Sequence, residues 1–152
     1  MIATRLVRRP IDVGALAAAV ASPAHGATAL FVGTVRDVND GRAVSGLDYS
    51  AYEAMAEREL AAIGAEAAER FGVSALEVEH RLGTLALGEA SVGIAAAHAH
   101  RAPALDAVRY VIEELKRRVP VWKREHYVDG SREWVDPSTA DEAVPVRAEE
   151  EA

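Results

Sequence analysis

Cysteine is absent from all 152 residues, which excludes disulfides, thiolate-ligated zinc, iron–sulfur clusters and a thiol nucleophile. Whatever chemistry the chain performs uses no cysteine sulfur of its own. Aromatic residues make up only 5% of the chain, while 32 residues are alanine. Much of the hydrophobic half is therefore small side chain, and a thin, closely packed core is expected. No apolar run approaches the roughly 18 residues of a membrane span, and no apolar stretch follows a basic segment near the N-terminus. A soluble, cytoplasmic protein is predicted. Lysine is scarce as well: the 17 basic residues comprise 15 arginines and two lysines, Lys116 and Lys123.

A chain of this length forms one domain, because folding at this size buries roughly 70% of the unfolded surface. The net charge of −7 argues against a nucleic-acid or anionic-membrane partner. The charge is segregated, with −4 of it carried by residues 137–152 and −3 by the rest. We therefore expect a folded domain over 1–136 and an acidic, disordered tail over 137–152.

Alternation over Ile2 to Val7 predicts a strand, and Pro10 followed by Ile11 to Val20 predicts a short helix with proline in its first turn. Ala27 to Val35 reads as a buried strand, Arg36 to Arg42 as a polar loop, and Val44 to Tyr49 as extended. Apolar residues at Tyr52, Ala56, Leu60, Ile63, Ala67 and Phe71 recur at the helical period. Val73 to Arg81 and Ser91 to His98 read as strands joined by a turn region from Gly83 to Gly88. A second main helix, Ala104 to Arg118, shows Leu105, Val108, Ile112 and Leu115 on one face and ends before Pro120. Val121 to Val128 and Glu133 to Val135 look extended, with Asp129 and Gly130 between them. This order predicts an α+β fold with a mixed or antiparallel sheet and two main helices.

Arginine keeps its proton in proteins, whereas a lysine amine can act as acid, base or nucleophile when its surroundings lower its pKa. The two retained lysines bracket KRRVPVWKR, Lys116 to Arg124, which holds five cations and no acid inside an acidic protein. A local anion site is implied. The competing reading is a solvated basic stripe whose lysines stabilise a helix C-terminus. Arg36, beside a buried strand, and Arg101, at a helix start, offer further cations. His98 and His100 share a strand face if both are extended, but His80 is distant as a third ligand, so no metal is assigned. His100 beside Arg101 suits an anionic or polar ligand better, and His80 reads as structural.

The phrases FVGTVRDVNDG (31–41), LDYSAYEAMA (47–56), HRLGTLALGE (80–89), HAHR (98–101), LKRRVPVWKRE (115–125) and DGSREWV (129–135) occur in this order. Together they resemble the family of large, catalytic subunits of molybdopterin synthase, over about Ile2 to Val135. Two departures are visible: Ser50 where the family usually has Glu, and His98 where it usually has a small residue. The resemblance implies a single-domain α/β hammerhead-like fold, and a homodimer flanked by two small ubiquitin-like sulfur-carrier subunits in a heterotetramer. The carrier's C-terminal Gly-Gly thiocarboxylate then donates sulfur to cyclic pyranopterin monophosphate, and two transfers build the molybdopterin dithiolene. By the same resemblance Lys116 and Lys123 are the catalytic pair, while Thr34, Val35, Arg36, His100, Arg101, Arg124 and Glu125 line the substrate pocket. No bound cofactor is implied, since the carrier supplies the sulfur. One lysine is expected to serve as acid or to activate the pterin carbon, the other to orient the donor or hold an intermediate. The rival expectations are a non-catalytic module binding an anionic nucleotide or pterin, and a metal-dependent hydrolase built on His98 and His100.

Overall fold

A computed structural model describes residues 1–135; the acidic segment 137–152 lies outside the described residues. In chain order the elements are β1 (Ile2–Val7), α1 (Val13–Val20), β2 (Ala27–Thr34), β3 (Val38–Asn39), β4 (Arg42–Ala51), α2 (Glu53–Phe71), β5 (Ala75–Arg81), β6 (Gly83–Ala86), β7 (Ala90–His98), α3 (Arg101–Arg118), β8 (Val121–Tyr127) and β9 (Arg132–Val135). The class is α+β, as expected from the sequence. One sheet has the order β1-β5-β7-β2, with β1 and β5 parallel and the other pairs antiparallel. The second has the order β3-β4-β8-β9, with β6 also paired to β4. No helix among the described residues is long and apolar enough to cross a membrane.

Several boundaries differ from the sequence reading for local reasons. α1 starts at Val13, because the Asp12 side chain accepts from the Ala15 amide at 3.0 Å and caps the helix, which leaves Pro10 outside it. α3 starts at Arg101, since Pro103 in the first turn removes a donor that has no helical partner anyway. Its buried stripe is Ala104, Ala107, Val108, Val111 and Leu115, while Leu105 is 58% exposed. Tyr52 is likewise exposed as the N-cap of α2. The expected turn region at Gly83 contains β6, and the polar loop after β2 contains β3, closed onto β4 through Asp40 and Gly41 at φ 51° and 74°. Positive φ at both central residues is what a two-residue hairpin turn requires.

The main core lies where α2 and α3 cover one face of the first sheet. It joins Ala56, Leu60, Ile63 and Ala67 of α2 to Ala104, Ala107 and Val111 of α3 and to Leu76, Val78, Ile94 and Ala96 below. α1 covers the other face through Leu16 and Val20, which pack on Ala95 and Ala97. Approach there is close: a Cβ built on Gly93 would stand 2.6 Å from Leu16 Cδ1 and 3.1 Å from Ile11 Cγ2. The absence of a side chain at Gly93 thus lets Leu16 and Ile11 pack directly on the sheet backbone. Buried Glu77 and Glu79 on β5 are neutralised across the sheet edge by Arg5 and Arg9.

Candidate functional site

Pro120 ends α3 and launches β8, so Lys116 in the last helical turn and Lys123 in the strand are separated by one sharp change of direction. Alternation along β8 sends Lys123, Glu125 and Tyr127 to one face and Trp122, Arg124 and His126 to the other. On the first face Lys123 Nζ lies 2.9 Å from Glu125 Oε1. Glu125 is only 2% exposed, and its second oxygen accepts from Asn39 Nδ2 at 2.7 Å and from the Tyr127 hydroxyl at 2.9 Å. Burial pushes this carboxyl up, but Lys123, Tyr127 and Asn39 together outweigh it and hold it below its ordinary value. Burial and the neighbouring carboxylate push Tyr127 up to about 12, so its hydroxyl stays protonated and donates.

Tyr49 stands directly opposite Lys123 in the β4–β8 ladder. Its ring meets that of buried His80 edge-on, with centroids 5.0 Å apart. The His80 Nδ1–H donates to the Arg81 carbonyl at 2.9 Å. Burial lowers the His80 pKa to about 4; the backbone hydrogen bond opposes this, and the positive charge of Lys116 adds to it. His80 is therefore neutral at physiological pH. Val35 is buried against Leu47 and Leu85 with Tyr49 beside it, and it exchanges backbone hydrogen bonds with Gly88 and Glu89. Thr34 and Arg36 flank it and are exposed. One end of the molecule thus gathers Thr34, Val35, Arg36, Lys123 and Glu125, with Lys116 in the last turn of the helix that leads into β8.

Three of the sequence-expected residues are not brought into this group. Arg124 points to the opposite face of β8 and binds Asp48 at 2.7 Å, stacking near the Trp134 ring. His100 and Arg101 begin α3 at the far end of the fold. Ala27 pairs with His98 and Thr34 with Ala90, so the length of β2 separates the two groups by roughly 23 Å. Along α3, Arg101 lies roughly 22 Å from Lys116. His98 and His100 do meet, through a hydrogen bond from the His100 amide to His98 Nδ1 at 2.9 Å. Among the described residues no group of three or more His, Cys, Asp or Glu could hold a metal ion.

Asn39, Tyr49 and Tyr127 were not singled out from the sequence. The alternating Lys-x-Glu-x-Tyr of β8 carried the signal for Tyr127, since those three must share a strand face. Asn39 was hidden in an Asn-Asp-Gly run that reads as turn chemistry alone.

Known proteins resemble this chain over most of its length. The family described as MoaE protein matches residues 6–118. A protein of Oryza sativa subsp. indica named molybdopterin synthase catalytic subunit is 48% identical over 136 residues, covering 86% of this chain and 70% of the rice protein. The crystal structure of molybdopterin synthase from Staphylococcus aureus superposes with a TM-score of 0.80 at 35% identity, over 86% of this chain and 94% of that one. A complex of subunits 1 and 2 of the molybdopterin-converting factor from Helicobacter pylori 26695 contains a chain that superposes at 0.72 with 25% identity, over 87% of this chain and 89% of that one.

Proposed function

The chain belongs to the MoaE protein family, and on that premise we propose that it is the catalytic subunit of a molybdopterin synthase, a cytoplasmic sulfurtransferase that carries no cofactor of its own. The observation that carries this reading is the Lys123 ammonium, held at 2.9 Å by a buried carboxylate at the cationic end of an acidic, cysteine-free chain. Sulfur arrives from a small ubiquitin-like carrier whose Gly-Gly thiocarboxylate reaches this end of the fold. The acceptor is cyclic pyranopterin monophosphate, and its phosphate is held by arginine through charge-assisted hydrogen bonds.

In this reading Lys116 and Lys123 are the catalytic pair. Thr34, Val35, Arg36 and Glu125 form the near wall, with Arg36 as its cation. His100 and Arg101 belong to the same pocket but come from a second copy of the chain. Within one chain these residues lie roughly 23 Å from the near wall, the length of one eight-residue strand, too far to share a pocket with it, and a second copy is what would bring them there. Arg124 serves from behind, fixing β8 through Asp48.

The test is reconstitution of the purified chain with precursor and thiocarboxylated carrier. Dithiolene product is expected only when the carrier keeps its last two glycines. Lys123→Ala should abolish turnover, and Lys123→Arg should fail too, because guanidinium keeps charge but does not exchange a proton. Precursor binding without turnover in the complete system would favour a pterin-binding module instead.

A further inference from the structure

We propose that Asn39 and Tyr127 are positioning residues that set the place of the Lys123 ammonium by fixing the Glu125 carboxylate from behind. The inference rests on the reading of Lys123 as catalytic.

The two oxygens of Glu125 are used differently. Oε2 takes the Asn39 amide at 2.7 Å and the Tyr127 hydroxyl at 2.9 Å, while Oε1 takes Lys123 at 2.9 Å. The terminal torsion of a glutamate is broad and has no strong well of its own. Two donors on one oxygen supply what the torsion lacks: they set the plane of the carboxylate and so the point at which Oε1 receives the ammonium. Lysine brings a flexible four-carbon stem, so the lysine is placed only as well as its acceptor is.

The origin of the two donors makes this a built feature. Asn39 belongs to the β3–β4 hairpin and Tyr127 to the end of β8. Asn39 is the register partner of Arg42, and the Arg42 guanidinium sits 3.5 Å above the centroid of the Tyr127 ring. Arg42 also binds the Ser131 hydroxyl at 2.6 Å and Glu133 at 3.2 Å. The two sides of one hairpin thus grip β8 and the following turn, one through Glu125 and the other through Tyr127. The tight turn at Asp40 and Gly41 sets the register that aligns them. The groups facing Glu125 are Lys123 and Tyr127 from β8, Asn39 from β3 and its ladder partner Glu133 from β9, with Arg42 of β4 behind the Tyr127 ring.

The experiment uses the full chain with its carrier and precursor, and the variants Tyr127→Phe and Asn39→Asp. The first removes one hydroxyl and leaves the ring beneath Arg42. The second keeps the size of the side chain but sets a carboxylate against Glu125. Each should lower kcat about tenfold while KM stays within about twofold, with melting curves confirming that the variants fold. A second readout is independent of turnover. The chain has two lysines, so nitrogen-15 NMR of the lysine ammonium groups gives at most two signals, assigned with Lys116→Arg. The Lys123 signal, sharp when the ammonium is held, should broaden or vanish in both variants. Unchanged kcat and an unchanged Lys123 signal in folded Tyr127→Phe and Asn39→Asp would overturn the proposal. Full activity of Lys123→Ala would instead remove the catalytic reading, and the ammonium signal would still decide whether the hairpin positions the lysine.

Discussion

Replacing Asp48 by Asn tests whether Arg124 is engaged in holding the sheet. Asp48 sits in the middle of β4 with its side chain 17% exposed. It accepts from Arg124 Nε and Nη2 at 3.2 and 2.7 Å, from the Thr84 hydroxyl at 2.8 Å and from His126 Nε2 at 2.8 Å. Partial burial pushes the carboxyl up, but these donors outweigh it and bring its pKa down to about 2. An unfolded aspartate titrates near 4, and the difference corresponds to about 2–3 kcal/mol of folding stability at neutral pH. The sign follows from the depression: the contribution is complete above the unfolded value and is lost as pH falls through the folded one. Urea denaturation of both proteins at pH 7 should show Asp48→Asn less stable by about 2–3 kcal/mol. The gap should hold down to about pH 5 and close as pH falls from about 4 towards 2. A gap that stays constant across that acid range, or one below about 0.5 kcal/mol at pH 7, would refute the assignment of Arg124 to Asp48.

Two further outcomes are expected. Lys123→Ala and Arg101→Ala, each impaired alone, should recover about a quarter of wild-type activity when their subunits are exchanged at equal amounts, the share of sites left intact in a random two-fold assembly; activity equal to the average of the two variants would place both residues in one chain's site. Gly93→Ala should destabilise the fold by about 1–3 kcal/mol in thermal or urea melts while leaving KM unchanged, since its new methyl meets Leu16 and Ile11 beneath α1; wild-type stability would show that α1 moves aside freely.

The helices and the longer strands were legible as elements, the two short strands β3 and β6 were not, and the buried face of α3 was legible only in part. β1 has the bounds the sequence reading predicts. In α3 the buried stripe is carried largely by alanines, which a pattern search weights lightly, so Leu105 was assigned inward although it lies outside. The lysines were legible as sites because arginine is used nearly everywhere else. Strand parity already separates Arg124 from Lys123 and Glu125, but that the far face offers Asp48 depends on a strand 76 residues away in the chain. The distance between Arg101 and Lys116 follows from helix rise alone, yet it gains meaning only once the sheet shows that Thr34 and His98 mark opposite ends of one strand pair.

The run Ala95–Ala96–Ala97 on β7, fully buried with neighbours on both faces, has a thermodynamic consequence. Alanine has no side-chain rotamers to lose, whereas each leucine or isoleucine brought into a core forfeits about 0.5–1 kcal/mol of rotamer entropy. This stretch of β7 therefore orders at little side-chain entropic cost, and once ordered it has no alternative rotamers to visit. α3 contributes Ala104 and Ala107 to the same core as Ala96, so at this point the helix that carries Lys116 meets the sheet through side chains without rotamers. At that contact a small displacement of the helix has no rotamer switch to absorb it.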